Sequence, residues 1–416
     1  METGKNHIRS LYISNLGFLD NLGMTQILPY IKGLADRGIR FTALTFEKSD
    51  KPGYEKKCET MKGLLAERGI KWTWLAYHRR WGNLLDIFAG FFIACFLALR
   101  DRADILHVRS SIPVMIGWPV ARLLGKKIIY DRRGTMKGDF VDDVNLTNIF
   151  SKGFFPNALD ALDRFFLRHS DGVVVLSEKS RDLLKRNELS GKRTPCDYIP
   201  CCVEPERFAR EAPGPFTAPA SPGRPVLAYV GSVGTCYLLG HMIDFFKALR
   251  EEAGGGFFLV ISHSDPGAIK AKFAEKEVPP GNYAVVDASP DEVPAYLKTA
   301  DLSVMFIKEV ECKIGASPTK LAESLASGVP VVINSGIGDA DEIIRENRAG
   351  CIVKDLSAEG CRKAAAASLE LIKEGDALKK RCRELAGRFF SMKMGIDKYA
   401  SLYAEALKNT KRRHAR

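Results

Sequence analysis

A chain of 416 residues and 46.1 kDa is too long for one ordinary hydrophobic core, so two domains of roughly 150 to 200 residues are expected. Hydrophobic residues at 46% and charged residues at 27% describe a folded soluble protein, not a disordered one. The 62 Lys and Arg against 50 Asp and Glu give a net charge of +12, which favours anionic partners such as membrane, nucleic acid or phosphorylated substrates without choosing among them.

The N-terminal METGKNHIRS has no apolar signal core and runs directly into strand-like LYIS, so no export is expected. Strand patterns follow at 8–14, 39–46, 71–76, 104–108, 127–131 and 172–176. Between them lie helical patterns at 24–37, 54–68, 84–99, 112–124, 157–169 and 179–186, the last with Ser177 as its cap. Residues 84–99 are strongly apolar but contain Asp86, and they are shorter than the roughly 20 residues that span hydrocarbon. Two readings stay open for them. They form a buried crossover helix, or they present one face to a bilayer surface, helped by Trp72, Trp74, Trp81 and by Arg79, Arg80, Arg100 and Arg102 at the ends.

The stretch APGPFTAPASPGRP cannot build an element and marks a linker. Residues 1–209 are accordingly the first domain, 210–225 the linker, 226–390 the second domain, and 391–416 a last helix with the basic tail KRRHAR. The second domain restarts the rhythm with strand 226–230 and a glycine loop at 231–235. Helix 238–252, strand 257–261, helix 268–276, strand 283–286, helix 291–298 and strand 302–306 come next, and later helix 339–346, strand 350–353 and helices 358–373, 377–390 and 397–407. Such alternation predicts two doubly wound α/β domains with parallel sheets, facing across a cleft at their carboxyl ends.

The chemistry centres on SPTKLAESLASGVPVVIN at 317–334. Pro318 can open a helix whose first amides face a ligand ahead of Ser317, the arrangement that holds phosphate, and Lys320 adds a mobile positive charge. Glu323 lies just under a turn beyond Lys320, so amine and carboxylate can serve one ligand that offers both phosphate and a sugar hydroxyl. An ordinary αβ unit with a capped, charged helix is the alternative. His107 reads as a core histidine and Asp339 as a helix cap, while His263, at a carboxyl strand end, is a candidate donor contact. Ten cysteines without a Cys-x-x-Cys spacing point to a reduced, cytoplasmic protein. The seven histidines never reach metal-ligand spacing. A Gly-x-Ser-x-Gly elbow and a Gly-x-x-x-x-Gly-Lys-Ser/Thr loop are both absent, which removes ordinary hydrolases and ATPases. No nucleic-acid-binding motif appears.

Taken in order, DNLGMTQILPYIKGLADRG, DILHVRS, SDGVVVLSEKSRDLL, IPCCVEPERF, YVGSVG, VPAYLKTADLSV and SPTKLAESLASGVPVVIN resemble a family 4 glycosyltransferase, the retaining, nucleotide-sugar-dependent kind with GT-B architecture. The resemblance implies an acceptor in the first domain and a nucleoside diphosphate sugar, of UDP or GDP type, in the second, with no bound metal or other cofactor. Glu323 would hold the donor ribose, and Ser317, Pro318, Thr319 and Lys320 would face the diphosphate together with Gly231, Ser232 and the first domain's Gly23. The last helix would cross back onto the first domain. This chain departs from the family pattern in three places. Gly315 stands where the first of the paired glutamates is usual, the loop after the second domain's first strand has neither Arg nor Lys, and Asp131-Arg132-Arg133-Gly134 stands near the usual sugar-site histidine. Arg109, Arg132 and Arg133 become, with Lys320, the candidates for charge neutralisation or for an acidic acceptor. Asp131 either meets sugar hydroxyls or fixes an arginine. Transfer of a hexosyl group to a saccharide or lipid-linked saccharide of a surface polysaccharide pathway is the expected activity, with peripheral contact to the inner face of an anionic membrane. A non-catalytic nucleotide-sugar-binding protein and a nucleotide-sugar 2-epimerase are the rivals.

Overall fold

The computed structural model describes residues 7–48, 53–78, 82–138, 154–210, 225–234, 236–308 and 315–408. The linker through residue 224, Arg79, Arg80, Trp81, Thr235 and the basic tail lie outside them. By contacts the chain divides into two units, Met1–Pro200 with Gly395–Arg416, and Cys201–Met394.

The first unit runs β1 (Arg9–Ser14), α1 (Asn21–Gln26), α2 (Leu28–Ala35), β2 (Arg40–Glu47), α3 (Tyr54–Ala66), β3 (Lys71–Ala76), α4 (Gly82–Arg100), β4 (Ile105–Arg109), α5 (Ser111–Leu123), β5 (Lys127–Asp131), α6 (Phe154–Arg168), β6 (Gly172–Val175), α7 (Glu178–Asn187) and β7 (Cys196–Tyr198). The sheet order is β3-β2-β1-β4-β5-β6-β7, and each neighbouring pair is parallel. Helices on both faces explain why the strands read as continuous apolar runs instead of alternating ones. Leu11, Ile13, Leu44, Val108 and Tyr130 meet Ala94, Leu97 and Ala98 of α4 and Val114 and Ile116 of α5. A β-carbon on Gly117 would stand 2.3 Å from Val108 Cγ1, so α5 needs glycine there to lie this close to the sheet.

Residues 24–37, expected as one helix, form two. Ile27 leaves the helical region (φ −124°, ψ −59°) between α1 and α2, because Pro29 has no amide hydrogen to continue the ladder to Thr25 and its ring crowds that carbonyl. Trp72 is not a surface anchor: it is 3% exposed, stacks on Phe18 and donates to Thr45 Oγ1 at 2.8 Å. Ser177 caps α7 as expected, its hydroxyl accepting from the Ser180 amide at 3.1 Å.

The second unit contains α8 (Pro205–Ala209), β8 (Val226–Val230), α9 (Leu239–Glu252), β9 (Phe257–Ile261), α10 (Pro266–Glu275), β10 (Tyr283–Val286), α11 (Val293–Leu297), β11 (Leu302–Met305), α12 (Thr319–Ala326), β12 (Val331–Asn334), α13 (Ala340–Glu346), β13 (Gly350–Val353), α14 (Ala358–Ile372) and α15 (Asp376–Phe389). Its sheet, β10-β9-β8-β11-β12-β13, repeats the doubly wound order. Val203 and Phe208 belong to this unit's core, so residues 201–209, which the sequence pattern assigned to the first domain, pack with the second. Asp339 occupies the N-cap position of α13, but its side chain makes no capping hydrogen bond. The last helix, α16 (Met392–Lys408), contributes buried Tyr399 and Tyr403 to the first unit.

Candidate functional site

In a doubly wound sheet, the crevice outside the carboxyl ends opens where the strand order reverses. In the second unit that point lies between β8, continued by Gly231, and β11, followed in sequence by α12. Gly231 has φ +123°, and a β-carbon there would stand 2.3 Å from Lys320 Cε. The positive φ favours glycine here, and a larger residue would push the end of the lysine chain aside. Lys320 is the second residue of α12, whose N-cap Pro318 is extended and whose start carries no side-chain cap. The first amide tied back is that of Leu321, to the Pro318 carbonyl at 3.0 Å, so the Thr319 and Lys320 amides stand as orphan donors of the helix start.

The Lys320 ammonium lies 3.7 Å from the Tyr237 ring centroid and 5.8 Å from that of Tyr229. Burial lowers it to about 8, against the pull of Glu323, Cys236 and Cys201. Burial likewise raises Glu323, although Lys320 and Arg207 favour its charged form. Neither charge is fully compensated, and the two make no direct ion pair among the described residues. A half-buried pair left in this condition suits an incoming ligand that brings both phosphate and hydroxyl groups.

Around this pair, Ser317 Oγ accepts from the Cys201 amide at 3.0 Å, fixing the chain before α12. The Ser232 carbonyl accepts from the Tyr229 hydroxyl at 2.5 Å, holding the glycine loop over β8. A cavity of about 480 Å³ opens beside that loop, lined by Val233, Gly234, Tyr237, Ser264, Asp265 and Lys272. His263 pairs with Asp287, and both are largely exposed; its recorded contact is with that carboxylate and not with the Lys320 group.

The first unit holds a second cluster at the ends of β1, β4 and β5. Register places Arg109 beside Asp131 and Tyr12 beside His107. Asp131 is fully buried and accepts from Tyr399 at 2.7 Å, Arg133 at 3.1 Å and Arg109 at 3.2 Å, with His107 Nε2 at 3.4 Å. Burial alone would raise this carboxyl, but Arg133 and Arg109 hold it well below the usual carboxylate range. Burial pushes His107 down despite Asp131, and its Nδ1 meets the Tyr403 hydroxyl at 2.8 Å. Two guanidinium groups against one carboxylate and a neutral imidazole leave one net positive charge, and Arg109 Nε is buried without a hydrogen-bond partner. Of the two roles open to Asp131, the structure shows it fixing arginines. Arg132 is not part of this group: it donates to Asp163 at 2.8 and 3.0 Å, and Tyr130 donates to the same carboxylate.

Gly23 serves the turn after β1. Its β-carbon would stand 1.9 Å from the Gly17 carbonyl oxygen, so the start of α1 can close on that turn only with glycine. The turn is tied to buried Glu47, which accepts from the Phe18 amide at 2.6 Å, Thr45 at 2.7 Å and Tyr54 at 2.6 Å. Glu47, Tyr237, Arg207, Tyr399 and Tyr403 escaped the sequence reading. The spacing of Tyr399 and Tyr403 on one helical face was the available signal for the last two. Among the described residues no group of three His, Cys, Asp or Glu is placed to hold a metal.

Two family models match the chain: Glycosyltransferase Family 4 over residues 25–207, and Glycosyl transferases group 1 over residues 224–373. A comparison with curated protein sequences found no match. Among solved structures, the sucrose-phosphate synthase of Thermosynechococcus elongatus is similar with a TM-score of 0.70 at 14% identity, covering 97% of this chain and 100% of that one. Anabaena HepE, solved in complex with UDP and glucose, gives 0.66 at 12% identity over 96% and 100% of the two chains. WaaG, a glycosyltransferase involved in lipopolysaccharide biosynthesis, gives 0.64 at 14% over 94% and 99%. At these identities the likenesses speak for the fold. With both family models matched in order and two Rossmann-like sheets of the same strand order, the chain belongs to the family 4 glycosyltransferases and has their GT-B architecture.

Proposed function

We propose that this glycosyltransferase moves a hexosyl group from a nucleoside diphosphate sugar, of UDP or GDP type, to a hydroxyl of a saccharide or lipid-linked saccharide, with the anomeric configuration retained and without a bound metal. The observation that carries the reading is the grouping of Gly231, Lys320 and Glu323 at the switch point of the second sheet. Orphan amides of α12 and the Lys320 ammonium suit a diphosphate, and Glu323 suits the hydroxyls of its ribose. HepE, with the same fold, was solved with UDP and glucose, which supports the donor class. WaaG acts in lipopolysaccharide biosynthesis, which supports a surface polysaccharide role at the cytoplasmic face of a membrane.

In this reading the leaving diphosphate gathers negative charge that Lys320 and the α12 amides stabilise. The acceptor hydroxyl attacks from the face the phosphate vacates and passes its proton to a phosphate oxygen, so the protein contributes orientation and charge stabilisation more than covalent chemistry. Arg109 and Arg133, with one positive charge left over beside Asp131, are assigned to an acidic group of the acceptor. A thermal-shift series with UDP, GDP, ADP and dTDP tests the donor site, since binding to the folded state raises apparent stability. A rise with UDP or GDP is expected; none with any of the four removes the reading. Gly315, standing where the family usually has its first glutamate, favours a second reading, a nucleotide-sugar-binding protein without turnover. Release of free nucleotide from a bound donor in the presence of saccharide acceptors separates the two.

A further inference from the structure

Helix α4 buries one face and leaves the other open. Asp86, Gly90, Ala94, Leu97 and Ala98 are buried toward the sheet, whereas Leu85, Phe88, Phe92, Phe96 and Leu99 are 55 to 69% exposed. These five positions advance by three or four residues and form one continuous stripe. Phe88 and Phe92 touch edge to face at 4.9 Å, and the exposed side carries no charge from Leu85 to Leu99. An aromatic stripe of this length is more than a soluble protein leaves uncovered without a purpose.

Its surroundings indicate what covers it. Arg100 stands 5.5 Å from the Phe96 ring centroid. At that end of α4 a cavity of about 870 Å³ is lined by Lys62, Lys71, Arg100, Trp74 and Glu59, among others. Lys62 lies over the Trp74 ring at 5.2 Å, and Asp101 is already neutralised by Lys71 and Arg100. Glu59 pairs with Lys62 at 3.7 Å, so the three cations Lys62, Lys71 and Arg100 face two carboxylates and leave one positive charge over at this rim. No helix among the described residues is long and apolar enough to cross a membrane. An apolar face with cations at its rim, on a helix that does not span, matches a helix lying in the plane of a bilayer.

We propose that α4 docks the protein on an anionic lipid bilayer, its Phe88, Phe92 and Phe96 entering the headgroup–acyl boundary and the Lys62, Lys71 and Arg100 cavity receiving a lipid phosphate. Nothing in this surface depends on the donor site. The test is flotation of the full chain with vesicles of phosphatidylcholine alone and of phosphatidylcholine with about one third phosphatidylglycerol. Binding to the anionic vesicles, weakened by salt, is expected. Phe92→Ser with Phe96→Ser should lower the partition coefficient at least about tenfold, and Lys62→Glu should lower it several-fold on anionic vesicles only. Both variants should keep the parent's circular dichroism and its thermal response to nucleotide, which separates docking from donor binding. Equal vesicle binding by parent and double serine variant overturns the proposal, as does no binding by the parent. A parent dimer that the serine variant converts to monomer also overturns it, by assigning the face to a second copy.

Discussion

Lys320 lays its side chain across Gly231, in the space a β-carbon would fill. The glycine loop and the start of α12 are thereby one construction, and the position of the ammonium is set by what the loop lacks. Gly231→Ala should therefore displace Lys320 and strain a backbone held at φ +123°. Nucleotide affinity is expected to fall about tenfold or more, measured by titration calorimetry with UDP and GDP. Gly234→Ala is the control: it shares a positive φ, but its β-carbon would meet nothing within 4 Å, so it should show the backbone effect alone.

The same lysine predicts a pH dependence. Burial lowers Lys320 to about 8, so the free protein carries the ammonium at neutral pH and loses it as pH rises through that value. A bound diphosphate favours the charged form, which couples binding to proton uptake. Affinity for UDP or GDP should fall roughly fivefold between about pH 8 and pH 9, and Lys320→Arg should flatten the profile, because arginine stays charged throughout. A parent profile that is flat over this range would remove Lys320 from the phosphate site.

The alternation of strands and helices was legible because both sheets are parallel and their central strands are buried on both faces, so those strands appear as apolar runs. The shortest elements were not: β7 has three residues and α8 five, too few for a period to show. At the site, Ser317, Lys320 and Glu323 lie in one stretch and were readable from helix spacing. Tyr237 and Arg207 reach the same pair from other segments of the second unit, which only the folded chain brings close. Arg132 and Arg133 show the opposite difficulty. Adjacent in sequence, they take separate carboxylates, Asp163 and Asp131, because neighbouring residues at a strand end leave in different directions.

Asp131, itself fully buried, holds two guanidinium groups and a tyrosine hydroxyl, and of the two arginines Arg133 keeps a partly open side. Asp131→Asn should destabilise the first unit by about 3 kcal/mol, since it leaves a buried and a half-buried cation without their counter-charge, and urea unfolding followed through this unit measures it. The sign with pH follows from the lowered carboxyl. The ion pairs contribute fully above the unfolded-state value near 4 and are lost as pH falls toward the much lower folded-state value. Parent and variant stabilities should therefore converge only in strong acid. Tyr399→Phe removes hydrogen bonds to Asp131 and Arg133 and should cost less, about 1 to 2 kcal/mol.

Arg133→Ala separates acceptor chemistry from donor binding. Arg133 also donates to the Ile199 carbonyl at 3.2 Å, so some loss of stability accompanies the change, and Arg133→Lys restores the charge without the planar fork. If Arg133 serves an acidic acceptor, the alanine variant keeps the parent's nucleotide affinity while turnover falls about a hundredfold, with lysine in between. Unchanged turnover in the alanine variant would remove Arg133 from the reaction.

Glu323 bears on which part of the nucleotide the site reads. Burial raises this carboxyl, a condition that hydroxyl donors from a ribose relieve by hydrogen bonding to its charged form. Glu323→Ala should weaken UDP or GDP binding by about 10- to 100-fold, the range expected when charged hydrogen bonds to a ligand are lost. The sharper measurement is selectivity. The parent should prefer the ribonucleoside diphosphate over its 2′-deoxy analogue, and the alanine variant should bind the two almost equally, because the group that distinguishes them has gone. Retained selectivity in the variant would place the ribose elsewhere, even if affinity had fallen, since a general disturbance of α12 weakens both nucleotides by the same factor.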